Sequence, residues 1–167
     1  MQSKSPTCTD TASPPNQRKL LQFWRCFWLT FLLFSISFAW HSYYVPPNSI
    51  AWAKSYAAAQ TQATEFSNPM LLFFSGKWCL PCRIMKRNVF ADQKVMTSVN
   101  SGFVPVEIDV NSAEDAAVLA RYNVVGPPVT ITTDHHGNVL RWRTGSLTKP
   151  EFLEFLRETS PVVQTNA

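Results

Sequence analysis

The feature that most constrains the fold is a pair of cysteines that follows an apolar segment. Residues Met70 to Phe74 are continuously hydrophobic, as in a buried strand, and a short turn then leads to Cys79 and Cys82. Pro81 lies between the cysteines, and proline is favoured in the first turn of a helix because its missing N–H is not needed there. The pattern predicts a strand, a turn and a helix that begins with both cysteines.

The spacing of the two cysteines suits thiol chemistry. It can place the sulfur of Cys79 exposed at the helix N-terminus and the sulfur of Cys82 facing inward one turn later. Backbone N–H groups and the positive end of the helix dipole favour the thiolate of Cys79 over its thiol. Because a thiolate beside a second thiol can exchange disulfides with another protein, we predict that this pair is redox-active.

Other interpretations of the cysteine pair are open: half of a zinc site, or an inert structural disulfide. A zinc site requires a second pair of ligands, and His135 and His136 are adjacent in a distant predicted turn. Two thiolates also suit Cu(I), so a copper-binding chaperone or redox-inactive binding module is the alternative function. For the redox function we predict no cofactor and no metal beyond the Cys79–Cys82 disulfide.

The distribution of charge limits the possible partners. The formal net charge is +4, but residues 1–45 hold four Lys or Arg against one Asp, and no basic stripe follows. We therefore predict no nucleic-acid partner. Four basic residues surround the cysteine motif, and they either form a solvated helix face or lower the pKa of Cys79 and favour acidic partners. They are Lys77, Arg83, Lys86 and Arg87.

A second constraint is an apolar segment near the N-terminus. From Cys26 to Val45, twenty residues contain no Asp, Glu, Lys or Arg, which is enough for one membrane crossing. Basic residues precede this segment, so the positive-inside rule places the N-terminus in the cytoplasm and the later residues outside it. A cleaved signal peptide is the alternative, since the most apolar part covers only residues 27–40. Both interpretations export the rest of the chain.

These observations predict four regions. Residues 1–22 form a disordered cytoplasmic tail, 23–45 a transmembrane anchor or signal peptide, 46–159 a folded domain and 160–167 a flexible tail. We predict a single-pass protein of the cytoplasmic membrane whose domain faces the periplasm or exterior, or a soluble exported protein if the segment is cleaved. Two further cysteines lie before or within the span, so the motif cysteines alone belong to the domain. They are Cys8 and Cys26.

Helical and strand patterns alternate along the exported part. In chain order the predicted elements are a helix at 50–66, a strand at 70–74, the cysteine helix to about 89, a continuation capped by Asp92 to 99, a strand at 103–110, a helix opened by a capping box at Ser112 and ending near Tyr122, strands at 129–133 and 139–144, and a last helix capped by Thr148. This order predicts a mixed sheet in which parallel strands joined by helices are followed by an antiparallel hairpin. On the last strand we expect Trp142 to pack in the core.

The segments Trp78-Cys79-Leu80-Pro81-Cys82 and Gly126-Pro127-Pro128, in this element order, resemble the thioredoxin family over roughly residues 50–158. The resemblance is greatest to the thioredoxin-like domains of exported bacterial thiol:disulfide interchange proteins. It implies an α/β thioredoxin-like fold, a mixed central sheet flanked by helices. It also implies that Cys79 attacks a substrate disulfide and Cys82 resolves the mixed disulfide. Finally, it implies that Pro128 is a cis-proline packed against the sulfurs and that Trp78 shields the site.

The sequence departs from the family pattern at two places. Thioredoxins carry a buried Asp six residues before the first cysteine, often with a buried Lys; the corresponding residues here are Phe73 and Pro105. Glu107 is the nearest remaining acid by strand parity. Pro127 precedes the expected cis-proline and has no N–H, so we predict one fewer main-chain hydrogen bond to a substrate and more apolar contact.

The sequence therefore predicts an enzyme, a membrane-anchored thiol:disulfide oxidoreductase that reduces protein disulfides outside the cytoplasmic membrane. The predicted partners are protein disulfide substrates, a membrane electron donor and the membrane itself through one helix. Net reduction is favoured because an anchor keeps the domain near such a donor. An oxidant or an isomerase stays open, because reduction potentials within this fold differ by more than about 100 mV.

Overall fold

The first element that the structure describes is one long helix. The computed structural model describes residues 15–159, with side chains from residue 19, and divides the chain into a unit that ends at Tyr44 and a unit that begins at Val45. In the first unit, helix α1 (Pro15–Tyr43) begins before the predicted span. Within it, Lys19–Tyr43 is long and apolar enough to cross a membrane, a property that signal sequences share. Exposed Cys26 lies on this helix, whereas Cys8 and residues 160–167 fall outside the described residues.

The second unit is an α/β domain. Its elements are α2 (Tyr56–Phe66), β1 (Met70–Ser75), α3 (Leu80–Met85), a π-helical segment (Lys86–Phe90), α4 (Gln93–Gly102), β2 (Val104–Asp109), α5 (Ala116–Arg121), β3 (Val129–Thr133), β4 (Val139–Thr144) and α6 (Lys149–Arg157). The strands form one sheet in the order β2-β1-β3-β4, in which β1 and β2 are parallel and the other two pairs are antiparallel. The predicted mixed sheet flanked by helices is confirmed.

Strand β1 is hydrophobic from Met70 to Phe74 because both faces of the sheet are covered. All six of its residues are buried. Leu71 and Phe73 point to one face, here called the cysteine face, and the alternate residues point to the other. The core on the cysteine face includes residues of α3, the π-helical segment, α4 and α6, namely Cys79, Cys82, Met85, Val89, Phe90, Val95, Val99, Phe152, Phe155 and Leu156. Helices α2 and α5 contribute to the core on the opposite face.

The predicted start of the first domain helix is wrong by six residues. Ser55 is the N-cap, and its side chain accepts a hydrogen bond from the N–H of Ala58 at 3.2 Å. The preceding residues are extended, because the N–H of Ala53 donates to the carbonyl of Pro105 at 2.8 Å and forms a parallel bridge with β2. Pairing with a strand therefore overrides the helical pattern.

The two predicted capping boxes have different outcomes. The box at Ser112 is wrong, because the Asp115 carboxylate accepts the N–H of Asp109 at 3.1 Å and α5 begins only at Ala116. The box at Thr148 is confirmed, and its N–H donates to the Glu151 carboxylate at 2.7 Å. A long-range hydrogen bond thus displaces the first cap, whereas the second is satisfied locally.

The expectation that Trp142 packs in the core is also wrong. Its side chain is 36% exposed, and its indole N–H donates to Thr144 Oγ1 at 2.9 Å. Trp142 lies opposite Ile131 on the α2 side of the edge strand β4. Helix α2 packs mainly against β1 and β2, and Trp142 on the edge strand β4 is left partly exposed.

Two tyrosines fix the turn between β3 and β4. Tyr122 donates its hydroxyl to the carbonyl of Gly137 at 3.0 Å, and Tyr56 therefore donates to the Tyr122 oxygen at 2.8 Å. Burial, followed by the hydrogen bond with Tyr56, raises the pKa of the Tyr122 phenol well above its ordinary value, so this phenol stays protonated and can donate.

Replacing Gly137 by alanine is expected to destabilise the domain by about 2 kcal/mol. Gly137 has φ +86°, and an added Cβ would lie 2.8 Å from Arg121 Nη2 and 2.8 Å from the Tyr56 hydroxyl. Gly102→Ala is the matched control, because a Cβ there meets nothing within 4 Å. Urea denaturation of both variants in the same detergent checks this, and equal stability of the two would contradict the steric argument.

Candidate active site

The two cysteines lie at the N-terminus of α3 and form a disulfide. Cys79 is the N-cap residue, and its sulfur accepts the backbone N–H of Cys82 at 3.2 Å. The two Cα atoms are 5.3 Å apart. Pro81 occupies the first turn, as predicted. The local sequence thus directs a backbone N–H at the first sulfur, an arrangement that stabilises negative charge there when the disulfide is opened.

The expected exposure of the Cys79 sulfur is not found in this oxidised form. Cys79 is 1% exposed and Cys82 is fully buried. The disulfide ties the first sulfur to the inward-facing second one, and both residues belong to the core on the cysteine face with Phe73 and Met85. Very little of the disulfide surface is therefore accessible to a partner.

Exposed apolar side chains are close in sequence to the cysteines and to the proline segment. Trp78 and Leu80, which adjoin Cys79 in sequence, are 65% and 51% exposed, and Ile84 follows Leu80 by one helical turn. Val125, just before the Gly126-Pro127-Pro128 segment, is 97% exposed. We call these four residues the apolar rim.

The fold brings the proline segment and the cysteines to the same end of the sheet, where β1 ends and β3 begins. Val129 at the start of β3 pairs with Phe74 near the end of β1, so residues 126–128 and the turn before Cys79 lie at the same edge. The Pro127–Pro128 peptide bond is cis, as the resemblance implied. Pro128 is buried and Pro127 half-buried. Their roles toward a substrate stay predictions.

Asn111 is a site residue that the sequence analysis missed. Its Oδ1 accepts the indole N–H of Trp78 at 3.2 Å, and its Nδ2 donates to Asp109 at 3.3 Å. Gly76 makes room for this contact, because an added Cβ would lie 3.3 Å from Asn111 Nδ2. The carboxyl ends of parallel strands meet at one edge of a sheet, so a polar residue after β2 was a detectable signal.

The position of the family's buried acid is filled by an apolar cluster. Phe73 is fully buried and packs edge-to-face on Phe90, with ring centroids 4.8 Å apart. Pro105 is buried as well. Glu107 pairs with Phe73 across the strands, and its carboxylate forms an ion pair with Lys86 of the π-helical segment. Glu107, the nearest acid by strand parity, is thus already paired with a lysine.

The other basic residues near the motif differ in their surroundings. Lys77 is exposed, Arg83 is half-buried, and Arg87 Nε donates to Asn88 Oδ1 at 3.4 Å. A solvated face and a role at the site both stay predictions for these cations.

The histidines do not complete a metal site with the cysteines. His135 and His136 contact each other, with ring centroids 4.0 Å apart, in the turn after β3. Thr133 at that end of β3 pairs with Met70, so the turn lies at the opposite edge of the sheet from Cys79. Within residues 19–159, no group of three or more His, Cys, Asp or Glu side chains is placed to hold a metal ion.

A disulfide at the start of a helix, preceded by a central strand and set at the same sheet edge as a cis-proline segment, defines a thioredoxin-fold dithiol protein. The chain belongs to the thioredoxin-like family, since the family model described as Thioredoxin-like matches residues 51–134.

Relatives and solved structures agree with this assignment. The thiol:disulfide interchange protein DsbD of Ralstonia nicotianae is 32% identical over 104 residues, which cover 61% of this chain and 17% of that protein. DsbD of Yersinia pestis is 29% identical over 99 residues, 58% of this chain and again 17% of the relative. The chain thus matches a small part of these longer proteins.

Two solved structures illustrate the similarity. The oxidised C-terminal domain of Neisseria meningitidis DsbD is 25% identical, with a TM-score of 0.53 and coverage of 61% of this chain and 90% of that one. A thioredoxin from Thermus thermophilus, 24% identical, has a TM-score of 0.60 and coverage of 66% and 87%. The second likeness concerns the fold alone.

Proposed function

We propose that the protein is a membrane-anchored thiol:disulfide oxidoreductase that acts on protein disulfides outside the cytoplasmic membrane. The observation that carries the proposal is the Cys79–Cys82 disulfide at the N-terminus of α3, at the same sheet edge as the cis-proline segment. Similarity to proteins named for thiol:disulfide interchange supports the same chemistry. The apolar length of α1 supports the anchor.

The reaction in the reducing direction has two exchange steps. The Cys79 thiolate attacks one sulfur of a substrate disulfide, forms a mixed disulfide and releases the other substrate sulfur as a thiolate. Cys82 then loses its proton and attacks the Cys79 sulfur, which releases the second substrate sulfur. Two electrons pass to the substrate, and the pair ends as the disulfide. A dithiol donor, which we place in the membrane, must reduce this disulfide again.

The apolar rim is the proposed docking surface for substrates. Its exposed side chains favour unfolded or extended protein segments that present apolar residues beside a disulfide. Pro127 offers such a segment a carbonyl but no N–H. Recognition is therefore expected to depend on apolar contact more than on main-chain hydrogen bonds.

Replacing Pro127 by threonine is expected to tighten substrate binding about two- to tenfold, because the variant gains one main-chain donor worth about 0.5–1.5 kcal/mol. The KM for a disulfide-bonded peptide, measured with excess donor dithiol, checks the gain. Pro127→Ala is the control for side-chain effects, since it adds the same N–H. Unchanged KM values in both variants would contradict the role given to this position.

We propose net reduction as the physiological direction, since an anchored domain stays close to a membrane donor. The reduction potential tests this choice. A value near that of thioredoxin, about −270 mV, supports a reductase, whereas a value near that of DsbA, about −120 mV, supports an oxidant.

The function itself is tested by the reduction of insulin with dithiothreitol as donor. We expect the full-length protein to accelerate insulin reduction and Cys79→Ser to lower the rate to that of dithiothreitol alone, because the attacking thiolate is lost. Cys26→Ser, the same substitution in α1, should retain the wild-type rate. No acceleration by the wild-type protein, together with stoichiometric Cu(I) binding, would favour the copper-binding alternative.

A further inference from the structure

A buried hydroxyl on β3 lacks a hydrogen-bond partner. Thr130 is fully buried, and its Oγ1 makes no hydrogen bond with any residue in the described part of the chain. Burying an unsatisfied hydroxyl is costly, so such a group in a core calls for an explanation. Thr132, two residues along the same strand and equally buried, does have a partner, Thr159 Oγ1 at 3.1 Å.

The strand register places Thr130 on the cysteine face. It lies directly opposite Phe73 of β1, and residues directly opposite in an antiparallel pair point to the same side of the sheet. Phe73 belongs to the core that contains Cys79 and Cys82. Thr130 also follows by two positions the buried Pro128, which directly precedes β3, and two positions is the spacing of side chains on one face of an extended chain.

Glu107, the nearest acid by strand parity, does not compete for this place. Glu107 flanks Phe73 on the side of β2, away from β3, and its carboxylate is engaged by Lys86. Phe73 itself carries no polar atom. The row of residues that crosses the sheet at Phe73 runs from Glu107 through Phe73 and Thr130 to Arg143. Arg143 is exposed on the edge strand β4, so the Thr130 hydroxyl is the buried polar group of this row that a sulfur on the cysteine face could use.

We propose that Thr130 is a positioning residue for Cys82, whose hydroxyl donates a hydrogen bond to the Cys82 sulfur when the disulfide is opened. This inference rests on the proposed function. In the oxidised pair both sulfurs are engaged in the S–S bond, and a disulfide sulfur is a weak acceptor. Reduction breaks this bond with two electrons from a donor dithiol, which becomes a disulfide, and leaves Cys82 as a thiol or thiolate. The thiolate is a much stronger acceptor.

The consequence is a bias of the redox equilibrium. The hydroxyl is unsatisfied while the pair is oxidised and satisfied once it is reduced, so it stabilises the dithiol relative to the disulfide. The alcohol takes no proton in this scheme; it holds the sulfur that carries out the resolving attack. Removing the hydroxyl should therefore shift the pair toward the disulfide.

The test is the equilibrium of the full-length protein, in detergent, with glutathione and its disulfide. The tryptic peptide from Trp78 to Arg83 contains both motif cysteines and no other, so alkylation followed by mass spectrometry reads the oxidised fraction without any activity assay. Thr130→Val, which keeps the side-chain shape, is expected to move the equilibrium constant about tenfold toward the disulfide, equivalent to about 30 mV for a two-electron couple. Thr130→Ala should shift it in the same direction, and Thr130→Ser should stay within about twofold of wild type.

Thr132→Val is the matched control, since it makes the same change on the same strand and face but removes a hydroxyl that already has a partner. Its equilibrium constant should equal that of the wild type. A Thr130→Val constant equal to wild type, or an equal shift in Thr132→Val, would overturn the inference. If the wild-type protein neither equilibrates with glutathione nor reduces insulin, the proposed function fails and the inference fails with it.

Discussion

Replacing Cys82 by serine is expected to turn the protein into a trap for its substrates. Cys79 retains the N–H and helix-dipole environment that favours its thiolate, so the first exchange step still forms a mixed disulfide. The second step is lost because serine cannot displace the Cys79 sulfur. Turnover of insulin should fall to the rate of dithiothreitol alone while disulfide-linked partners accumulate in cells.

The measurement is non-reducing electrophoresis of cells that express the variant, followed by mass spectrometry of the captured proteins. The double variant Cys79→Ser, Cys82→Ser is the control and should capture nothing. Addition of Cys26→Ser should leave capture unchanged, because this residue lies on α1 and takes no part in exchange. Captured proteins that are exclusively cytoplasmic would contradict the proposed orientation, and an absence of mixed disulfides would contradict the exchange mechanism.

The second large effect is expected from restoring an acid at the position of Phe73. Phe73→Asp should destabilise the domain by at least about 4 kcal/mol, because it empties a packed aromatic site against Phe90 and buries a carboxyl among apolar side chains. Desolvation raises the pKa of such a carboxyl above its value in the unfolded chain, about 3.9. Above about pH 4 the folded variant then binds more protons than the unfolded one, so its stability falls further as the pH rises.

Phe73→Leu is the control for the loss of volume alone. It should cost about 1–2 kcal/mol and introduce no additional dependence on pH. Urea denaturation of the wild type and both variants at pH 5 and pH 7 separates the two contributions. A Phe73→Asp protein as stable as Phe73→Leu at pH 7 would mean that the site accommodates a charge, contrary to the apolar cluster described above.

Local signals predicted most elements well. The continuous apolar run of β1, the Asp92 cap of α4 and the capping box at Thr148 all depend on residues close in sequence, and the structure has each of them. The errors arose where a distant residue competes. The N–H of Ala53 donates to the carbonyl of Pro105, and the carboxylate of Asp115 accepts the N–H of Asp109. Two helices therefore begin later than their local patterns indicate. The exposure of Trp142 depends on where α2 packs on the sheet. The alternation of polar and apolar residues along β4 does not contain this information.

For the candidate site, the sequence by itself determined the chemistry. Two cysteines around a proline at a strand-to-helix junction specify a dithiol whose first sulfur receives a backbone N–H, because Cys79 is the N-cap residue and Cys82 lies three positions later in the first helical turn. Tertiary structure alone decided what surrounds it. Asn111 reaches Trp78 from the segment that follows β2, and Thr130 lies on the cysteine face through the register of β3 against β1. The register of β3 is set by the packing of the whole sheet, since a shift by one residue would turn the side chain of Thr130 to the other face.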